Sequence, residues 1–201
     1  MKLYYAPGAC SLAPHIVACE AGLDLQLEKV DIGTKKTASG KDFLAVNPKG
    51  YVPALELDGG EVLTEGPAVM QYLADRAPAA ALAPAAGTLE RYRLQEWLTF
   101  INSEIHKTFG ALFVPTTTPE VRKERIEMLG KRFALADQMI AGKQFVLGNG
   151  FSAADAYLFV MLSWADHLKL DLANLKNLQA LKGRIAARPG VQKALKEEGL
   201  A

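Results

Sequence analysis

The first 76 residues combine two patterns of apolar and polar positions. The β-prone runs "KLYY" and "LQLEKVDI" flank residues 11–21, where apolar side chains recur at helical spacing. Farther on, "VPALELDGGEVL" places β-prone runs on both sides of an Asp-Gly-Gly at 58–60, a composition typical of a tight hairpin. A helical pattern follows at 66–76. The predicted order is β-α-β, a connection, and β-β-α.

The rest of the chain is predicted to be helical. The segment "APAAALAPAAG", residues 77–87, has the composition of a linker, so we expect one domain at 1–80 and a second at 88–201. Ser152 and Asp155 form a capping-box pattern ahead of an apolar helix. The apolar stripes of the second domain are Trp97, Ile101, Ile105 and Phe109; Ile126, Leu129, Phe133, Ala136 and Ile140; and residues 159–168.

Composition and charge narrow the function classes. Of the 201 residues, 50% are hydrophobic and 22% charged, and the formal net charge is +1. These values are typical of a globular protein, and they disfavour nucleic acid or an anionic membrane as partner, because both need a concentrated basic surface. No apolar run is long enough to span a bilayer, and the N-terminus lacks the apolar region of a secretory signal. We therefore expect a cytoplasmic protein.

Two cysteines, Cys10 and Cys19, lie near the ends of the first predicted helix. Nine residues at about 1.5 Å each separate them by about 13 Å, too far for a disulfide. Free thiols fit a reducing compartment. No Cys/His cluster has zinc-like spacing, so we expect no metal site.

Cys10 lies between a Pro-Gly turn and a predicted helix N-terminus. The unpaired amides and the helix dipole there favour the thiolate, which makes Cys10 a candidate nucleophile. The alternative is a cysteine that only packs. The residue three positions later is Ala13, so there is no CxxC. A dithiol oxidoreductase is disfavoured, whereas chemistry with a single thiol stays open.

Pro53, in "GYVPAL", begins a strand candidate, where a proline is costly unless its missing amide is useful or its bond is cis. In a thioredoxin-like β-α-β-β-β-α unit, a cis-proline at this place lies opposite the loop with the active cysteine. A proline at a strand edge explains the same residue equally well.

Four segments, "YYAPGACSLAPHI", "NPKGYVPAL", "LTEGPAVMQYLAD" and "EIHKTFGALF", together with the helical second half, resemble the bacterial beta-class glutathione transferases. The resemblance covers essentially the whole chain. It implies an α/β N-terminal thioredoxin-like domain (βαβ-ββα) followed by an all-α helical C-terminal domain. It also implies a homodimer that uses glutathione as co-substrate and no cofactor.

The resemblance assigns glutathione contacts in the first domain beside Cys10. Glu65 would pair with the ligand's ammonium, and Gly66, at a helix N-terminus, would bind the neighbouring carboxylate. Val52, before a cis Pro53, would make backbone bonds to the cysteinyl part, as in strand addition. Lys35 would meet the glycyl carboxylate.

In the second domain Thr99, Ser103 and His106 share a helix face by spacing. The resemblance implies that this face looks towards Cys10, with His106 donating to the ligand's sulfur. Glu104 and Lys107 would reach the ligand of the partner subunit. Thr99 departs from the family, which commonly has Asn there, so this contact is in doubt.

The implied activity is conjugation of the glutathione thiolate to hydrophobic electrophiles. Alternatives are a monothiol glutathione-dependent reductase or deglutathionylase acting through Cys10, and a non-catalytic glutathione-binding stress protein. Rival hydroxyl donors to the sulfur are Tyr4, Tyr5 and Ser11. The electrophile would lie against apolar surface drawn from Phe109, Leu112, Phe113 and Trp164, although such side chains are more often core.

Overall fold

The computed structural model describes residues 1–148 and 150–201, and this part of the chain divides into two units. The first consists of Met1–Ala83 with Ala186–Ala201, and the second of Pro84–Ile185. The last 16 residues thus belong with the first unit. As folding domains, the predicted ranges 1–80 and 88–201 remain predictions.

A five-stranded sheet with the order β3-β2-β1-β4-β5 organises the first unit. β1 pairs with β2 in parallel, and all other pairs are antiparallel. The predicted β-α-β and β-β-α order is confirmed, and β3, only two residues long, is an addition to it. The elements are β1 (Lys2–Tyr5), α1 (Leu12–Glu20), β2 (Gln26–Asp31), β3 (Lys36–Thr37), β4 (Ala54–Glu56), β5 (Val62–Thr64) and α2 (Gly66–Arg76).

The two faces of the sheet bury different side chains. Leu3 of β1 and Leu55 of β4 are register partners and fully buried. The next residue of β1, Tyr4, turns to the opposite face because side chains alternate along a strand, and it packs in a cluster with Phe43 and Val30. The first unit thus has the β-α-β and β-β-α order of a thioredoxin-like domain, with apolar side chains buried on both faces of its sheet.

The C-terminal helix α8 (Pro189–Glu197) packs against α1. Its apolar side, Val191 and Ala194, is fully buried. The chain therefore returns from the second unit to cover the helix that follows Cys10.

The second unit is helical, as predicted. Its elements are α3 (Leu89–Phe100), a π-helix (Ile101–His106), α4 (Lys107–Phe109), a 3₁₀-helix (Gly110–Phe113), α5 (Pro119–Met139), α6 (Ala153–His167) and α7 (Lys176–Ala186), which ends one residue into the first unit. The stripe from Trp97 to Phe109 is buried. In α5 the prediction is wrong at Ile126, which is 44% exposed, while Leu129 and Phe133 are fully buried.

The π-helix explains the steady four-residue spacing of that buried stripe. Four residues of an α-helix overshoot a full turn by about 40°, so a strict i+4 stripe drifts around it. The wider π turn reduces this drift, which keeps Ile101 and Ile105 on the core side. π segments recur at functional sites, and this one contains Ser103, Glu104 and His106.

The predicted capping box at α6 is confirmed. The Asp155 carboxylate accepts hydrogen bonds from the Ser152 amide at 2.9 Å, from the Ser152 hydroxyl at 2.6 Å and from the Val146 amide at 2.8 Å. Burial raises the pKa of Asp155 to about 6, against the opposite effect of these hydrogen bonds. Among the described residues, no helix is both long and apolar enough to cross a membrane.

Candidate functional site

Cys10 lies in the turn that joins β1 to α1. The turn begins with a hydrogen bond from the Ala9 amide to the Ala6 carbonyl, and the Cys10 carbonyl accepts from the Ala13 amide in the first turn of the helix. The half-buried thiol donates to the carbonyl oxygen of Val52 at 3.2 Å. The thiol predicted to be reactive thus lies against the peptide that precedes Pro53.

The Val52–Pro53 bond is cis, which resolves the two explanations of this proline. The loop before it is held by Asn47, whose side-chain amide donates to the Tyr51 carbonyl at 2.7 Å. The Cys10 turn and the start of β4 therefore meet through backbone and side-chain contacts of one unit.

The three alternative hydroxyl donors to the ligand's sulfur, Tyr4, Tyr5 and Ser11, either form hydrogen bonds within the first unit or have a raised pKa. The buried Ser11 hydroxyl accepts from the Ala6 amide at 3.1 Å and donates to the Ala6 carbonyl at 3.3 Å. Tyr4 donates to Glu56 at 2.7 Å, and burial with this bond raises the pKa of Tyr4 to about 12. Burial also raises the pKa of Tyr5. The hydroxyl protons of Ser11 and Tyr4 are therefore already donated to acceptors within the first unit.

Glu65 and Gly66 lie where β5 passes into α2. Glu65 has φ of 70°, a left-handed conformation that a non-glycine residue adopts at a cost, and such strain is often found at binding sites. Its exposed carboxylate pairs with Lys49 Nζ at 2.6 Å. Gly66 opens α2, with Pro67 next. The arrangement offers a carboxylate to a cation and a helix N-terminus to an anion.

Lys35 lies between β2 and β3, also with positive φ, 58°. Its ammonium donates to the Gly50 carbonyl at 2.8 Å and lies 5.6 Å from the centre of the Tyr51 ring. Lys35 and Lys49 thus bring two ammonium groups to the loop before Pro53. Both signs of charge that a zwitterionic peptide requires are present in the first unit.

His106 is held by a hydrogen-bond chain inside the second unit. Its Nδ1 lies 2.5 Å from the Tyr157 hydroxyl, which in turn lies 3.0 Å from Asn102 Oδ1. When the Tyr157 hydroxyl donates to Asn102 Oδ1, His106 Nδ1 carries a proton and donates to the Tyr157 oxygen. The Nε2 atom of His106 then has a free lone pair.

The imidazole of His106 is neutral at physiological pH. Burial, with a smaller effect from the Lys107 charge, lowers the pKa of His106 to about 4. In the tautomer set by Tyr157, the Nε2 atom of His106 is a proton acceptor. The resemblance, by contrast, implies that His106 donates a hydrogen bond to the sulfur of the ligand.

The other predicted residues of this segment have partners within the unit. The exposed Ser103 hydroxyl donates to the Thr99 backbone carbonyl at 2.9 Å. Glu104 pairs with Arg132 at 2.9 Å. Lys107 is exposed in α4, directly after the π-helix.

An aromatic group surrounds His106. Trp164 lies edge-on to His106 at 5.0 Å and to Phe113 at 5.0 Å between ring centres. Phe113 is 44% exposed and Trp164 partly buried, while Phe109 and Leu112 are buried. The core explanation therefore holds for Phe109 and Leu112, while Trp164 presents aromatic surface beside the imidazole and Phe113 presents it beside Trp164.

Three residues with a part in this arrangement were missed from the sequence. No sequence pattern distinguishes Lys49 from the many other lysines that are scattered along the chain. Tyr157 is hidden in the run "AYLFVML", whose apolarity predicts only core. Glu198 accepts from the Gly8 amide at 2.9 Å, two residues before Cys10, although 190 positions separate them along the chain. Glu198 reaches the turn that carries Cys10 through the tertiary fold, which no local sequence pattern indicates.

Comparison with known proteins covers the whole chain. The family model "Glutathione S-transferase, N-terminal domain" matches residues 8–76, and "Glutathione S-transferase, C-terminal domain" matches residues 100–189. Glutathione S-transferase GstA of Escherichia coli O157:H7 is 46% identical over 200 residues, all of both chains.

Two solved structures are also similar over all of both chains. The structure of a sphingomonad glutathione S-transferase complexed with glutathione has a TM-score of 0.96 at 51% identity. The beta-class glutathione S-transferase of Sphingomonas chungbukensis has a TM-score of 0.97 at 50% identity.

Proposed function

The chain belongs to the glutathione S-transferase family, and from this premise we propose that it conjugates the glutathione thiolate to hydrophobic electrophiles. The observation that carries the proposal is the Cys10 turn against the Val52 carbonyl, flanked by Glu65 and the loop lysines in a beta-class relative's fold. The protein is an enzyme of the transferase class.

Glutathione binds through its charges and its backbone. Its ammonium pairs with Glu65 and its neighbouring carboxylate with the α2 N-terminus at Gly66, because the helix dipole favours an anion there. Val52 pairs with the cysteinyl backbone beside Pro53. Lys35 meets the glycyl carboxylate after leaving the Gly50 carbonyl.

Activation consists of removing the proton from the glutathione thiol, because the thiolate is the nucleophile. We assign this step to Nε2 of His106, whose free lone pair follows from the Tyr157 and Asn102 chain. A neutral imidazole at pH 7 is in the protonation state that a base needs. Tyr157 is a positioning residue, since it fixes the ring and the tautomer. Thr99 and Ser103 lie near His106 in sequence and add polar groups to the same segment.

The electrophile is an aromatic or otherwise apolar molecule. Phe113 and Trp164 offer edges and faces to an aromatic ring next to His106. No group in this part of the described chain selects a particular substituent, so the proposal extends to the class of activated aryl and alkyl electrophiles.

Cys10 favours a second activity, exchange with glutathione mixed disulfides. A Cys10 thiolate attacks R–S–SG, so that Cys10–S–SG forms and RS⁻ leaves. A second glutathione thiolate attacks Cys10–S–SG, releasing GSSG and regenerating the Cys10 thiolate. The observation that supports this is a half-buried thiol at the beginning of α1 with no second cysteine close enough to form a disulfide.

The family resemblance supports a proposal for the assembly and the location. We propose a homodimer in the cytoplasm with no cofactor, in which Glu104 and Lys107 reach the ligand bound by the partner subunit. Free cysteines at positions 10 and 19 are consistent with a reducing compartment. Light scattering should give twice the chain mass, and a monomer would contradict the dimer.

Calorimetry with glutathione, followed by turnover with an activated aryl halide, tests the function. The proposal expects binding of one glutathione per chain and a conjugation rate well above the uncatalysed one. Glu65→Gln should weaken binding at least tenfold, because it loses the partner of the ligand's ammonium. Binding without turnover on either an aryl halide or a mixed disulfide would identify a non-catalytic binding protein instead.

A further inference from the structure

A second cluster of reactive side chains joins α1 to α8 in the first unit. His15 Nε2 lies 2.9 Å from Glu197 Oε2, and Cys19 Sγ lies 3.9 Å from the same oxygen. The three ligand atoms all lie within 4.8 Å of one another. His15 is 2% exposed, Cys19 is half-buried and Glu197 is exposed, and all three line a cavity of about 70 Å³.

These distances are close to the separations between ligand atoms around a bound zinc ion. Zinc binds imidazole at about 2.0–2.1 Å, carboxylate at about 2.0–2.2 Å and thiolate at about 2.3 Å, which places neighbouring ligand atoms about 3.2–3.6 Å apart. The observed separations of 2.9 and 3.9 Å lie on either side of that range. Shifts of less than about 1 Å in the side chains seat a metal ion among them.

The other imidazole nitrogen of His15 already has the partner that such a site needs. His15 Nδ1 lies 2.9 Å from Glu198 Oε1, and the Glu198 side chain is fully buried. A histidine that binds a metal through one nitrogen characteristically donates from the other to a carboxylate, which orients the ring. Glu198 is itself held by the Gly8 amide.

We propose that His15 Nε2, Cys19 Sγ and Glu197 Oε2 form a binding site for a divalent transition metal ion of the zinc class. Water completes a tetrahedron on the cavity side. The ion displaces one proton from His15 Nε2 and one from the Cys19 thiol, so two protons leave as two positive charges enter. The net charge of the cluster, including Glu197 and Glu198, is the same before and after the ion replaces the two protons. Binding therefore adds no net charge beside the buried side chains.

Among the described residues that line the cavity, Lys193 carries a positive charge. Lys193 lines the cavity, and its ammonium lies 3.9 Å from Glu197 Oε1. Its side chain is 53% exposed, so it can turn to solvent, and the proposed bond uses the other oxygen, Oε2. Asp24 also lines the cavity and adds negative charge there.

This site is distinct from the glutathione site. Cys19 lies near the C-terminal end of α1, whereas Cys10 precedes the N-terminus of this helix. The sequence-based expectation of no metal site relied on Cys/His spacing patterns. His15 and Cys19 at i and i+4 share one helix face, and only the return of α8 supplies the third ligand.

Titration with Co²⁺ tests the proposal, with the purified protein free of glutathione because the glutathione thiol itself binds metal. We expect one ion per chain, with the visible absorption of tetrahedral Co²⁺ and a thiolate charge-transfer band. Zn²⁺ should displace the Co²⁺ and raise the midpoint of thermal unfolding, since the ion joins α1 to α8. The apparent affinity should fall at least tenfold for each pH unit on acidification, because protons compete for His15 and Cys19.

Matched variants distinguish this site from others. Cys19→Ser should abolish the charge-transfer band and weaken binding at least 100-fold, while leaving the transferase rate unchanged. Glu197→Gln should weaken binding at least tenfold, and Cys10→Ser should keep the full signal. Absence of stoichiometric Co²⁺ absorption, or a signal lost with Cys10→Ser and kept with Cys19→Ser, would overturn the proposal. Neither result would bear on glutathione conjugation.

Discussion

Glu198 and Gly8 are joined by a hydrogen bond of 2.9 Å, although they lie at opposite ends of the chain. The other carboxylate oxygen of Glu198 accepts from His15 Nδ1. One buried carboxylate therefore ties the C-terminus both to the turn that carries Cys10 and to the helix that follows it.

Replacing Glu198 by Gln should destabilise the protein by about 3 kcal/mol, because a buried imidazolium loses a charged partner. Glu197→Gln is the matched control, since Glu197 also contacts His15 but is 37% exposed and should cost about 1 kcal/mol or less. Urea unfolding in a buffer with chelator measures both. Equal losses in the two variants would contradict the importance of the buried carboxylate.

The ion pairs of His15 should make stability depend on pH. Burial lowers the pKa of His15, but hydrogen bonds to Cys19, Glu198 and Glu197 outweigh it and raise the pKa from 6.5 to about 10. The native state therefore holds a proton that the unfolded state has lost between these pH values. The stabilisation is complete below about pH 6.5 and disappears as the pH rises through about 10.

The measurement is the difference in unfolding free energy between wild type and His15→Gln, again with chelator present. We expect this difference to shrink by about 4 kcal/mol from pH 6 to pH 10. Taking the difference removes the contribution of other groups that titrate over the same range. A difference that stays constant with pH would show that the pKa of His15 is the same in the folded and unfolded states and would contradict the ion pairs.

Tyr157→Phe should lower the conjugation rate about tenfold while glutathione affinity stays the same. The change removes the hydroxyl that fixes the ring and tautomer of His106, and a misplaced base loses part of a contribution of about 10²–10⁴. Because the pKa of His106 is lowered to about 4, the wild-type profile of kcat/KM should show no imidazole ionisation between pH 5.5 and 7.5. His106→Ala should lose more than Tyr157→Phe, and an unchanged rate in both would exclude His106 as the base.

Local patterns in the sequence predict the elements that depend on local chemistry. The helix at 66–76 is found with the predicted bounds, because Gly66 and Pro67 are suited to its first turn. The hairpin around residues 58–60 and the cap at Ser152 and Asp155 are likewise local. The two-residue β3 has too few positions to form a pattern.

Features that depend on distant residues could not be predicted in this way. The exposure of Ile126 depends on which face of α5 finds a partner, and its spacing alone does not reveal this. The π-helix at Ile101–His106 is likewise not indicated by the local sequence pattern. The pairing of Glu65 with Lys49 and of His15 with Glu198 joins residues 16 and 183 positions apart. The candidate residues were therefore identifiable, but their partners and protonation states were not.

In the proposed mechanism, the base for conjugation is His106 and the nucleophile for disulfide exchange is Cys10. The most direct test compares wild type with Cys10→Ala for two rates, conjugation of glutathione to an aryl halide and reduction of a glutathione mixed disulfide. We expect conjugation to stay within about threefold and mixed-disulfide reduction to fall at least 100-fold, because only the second reaction forms a bond to Cys10. Loss of both rates with glutathione binding intact would contradict this mechanism and make Cys10 the group that activates the bound thiol.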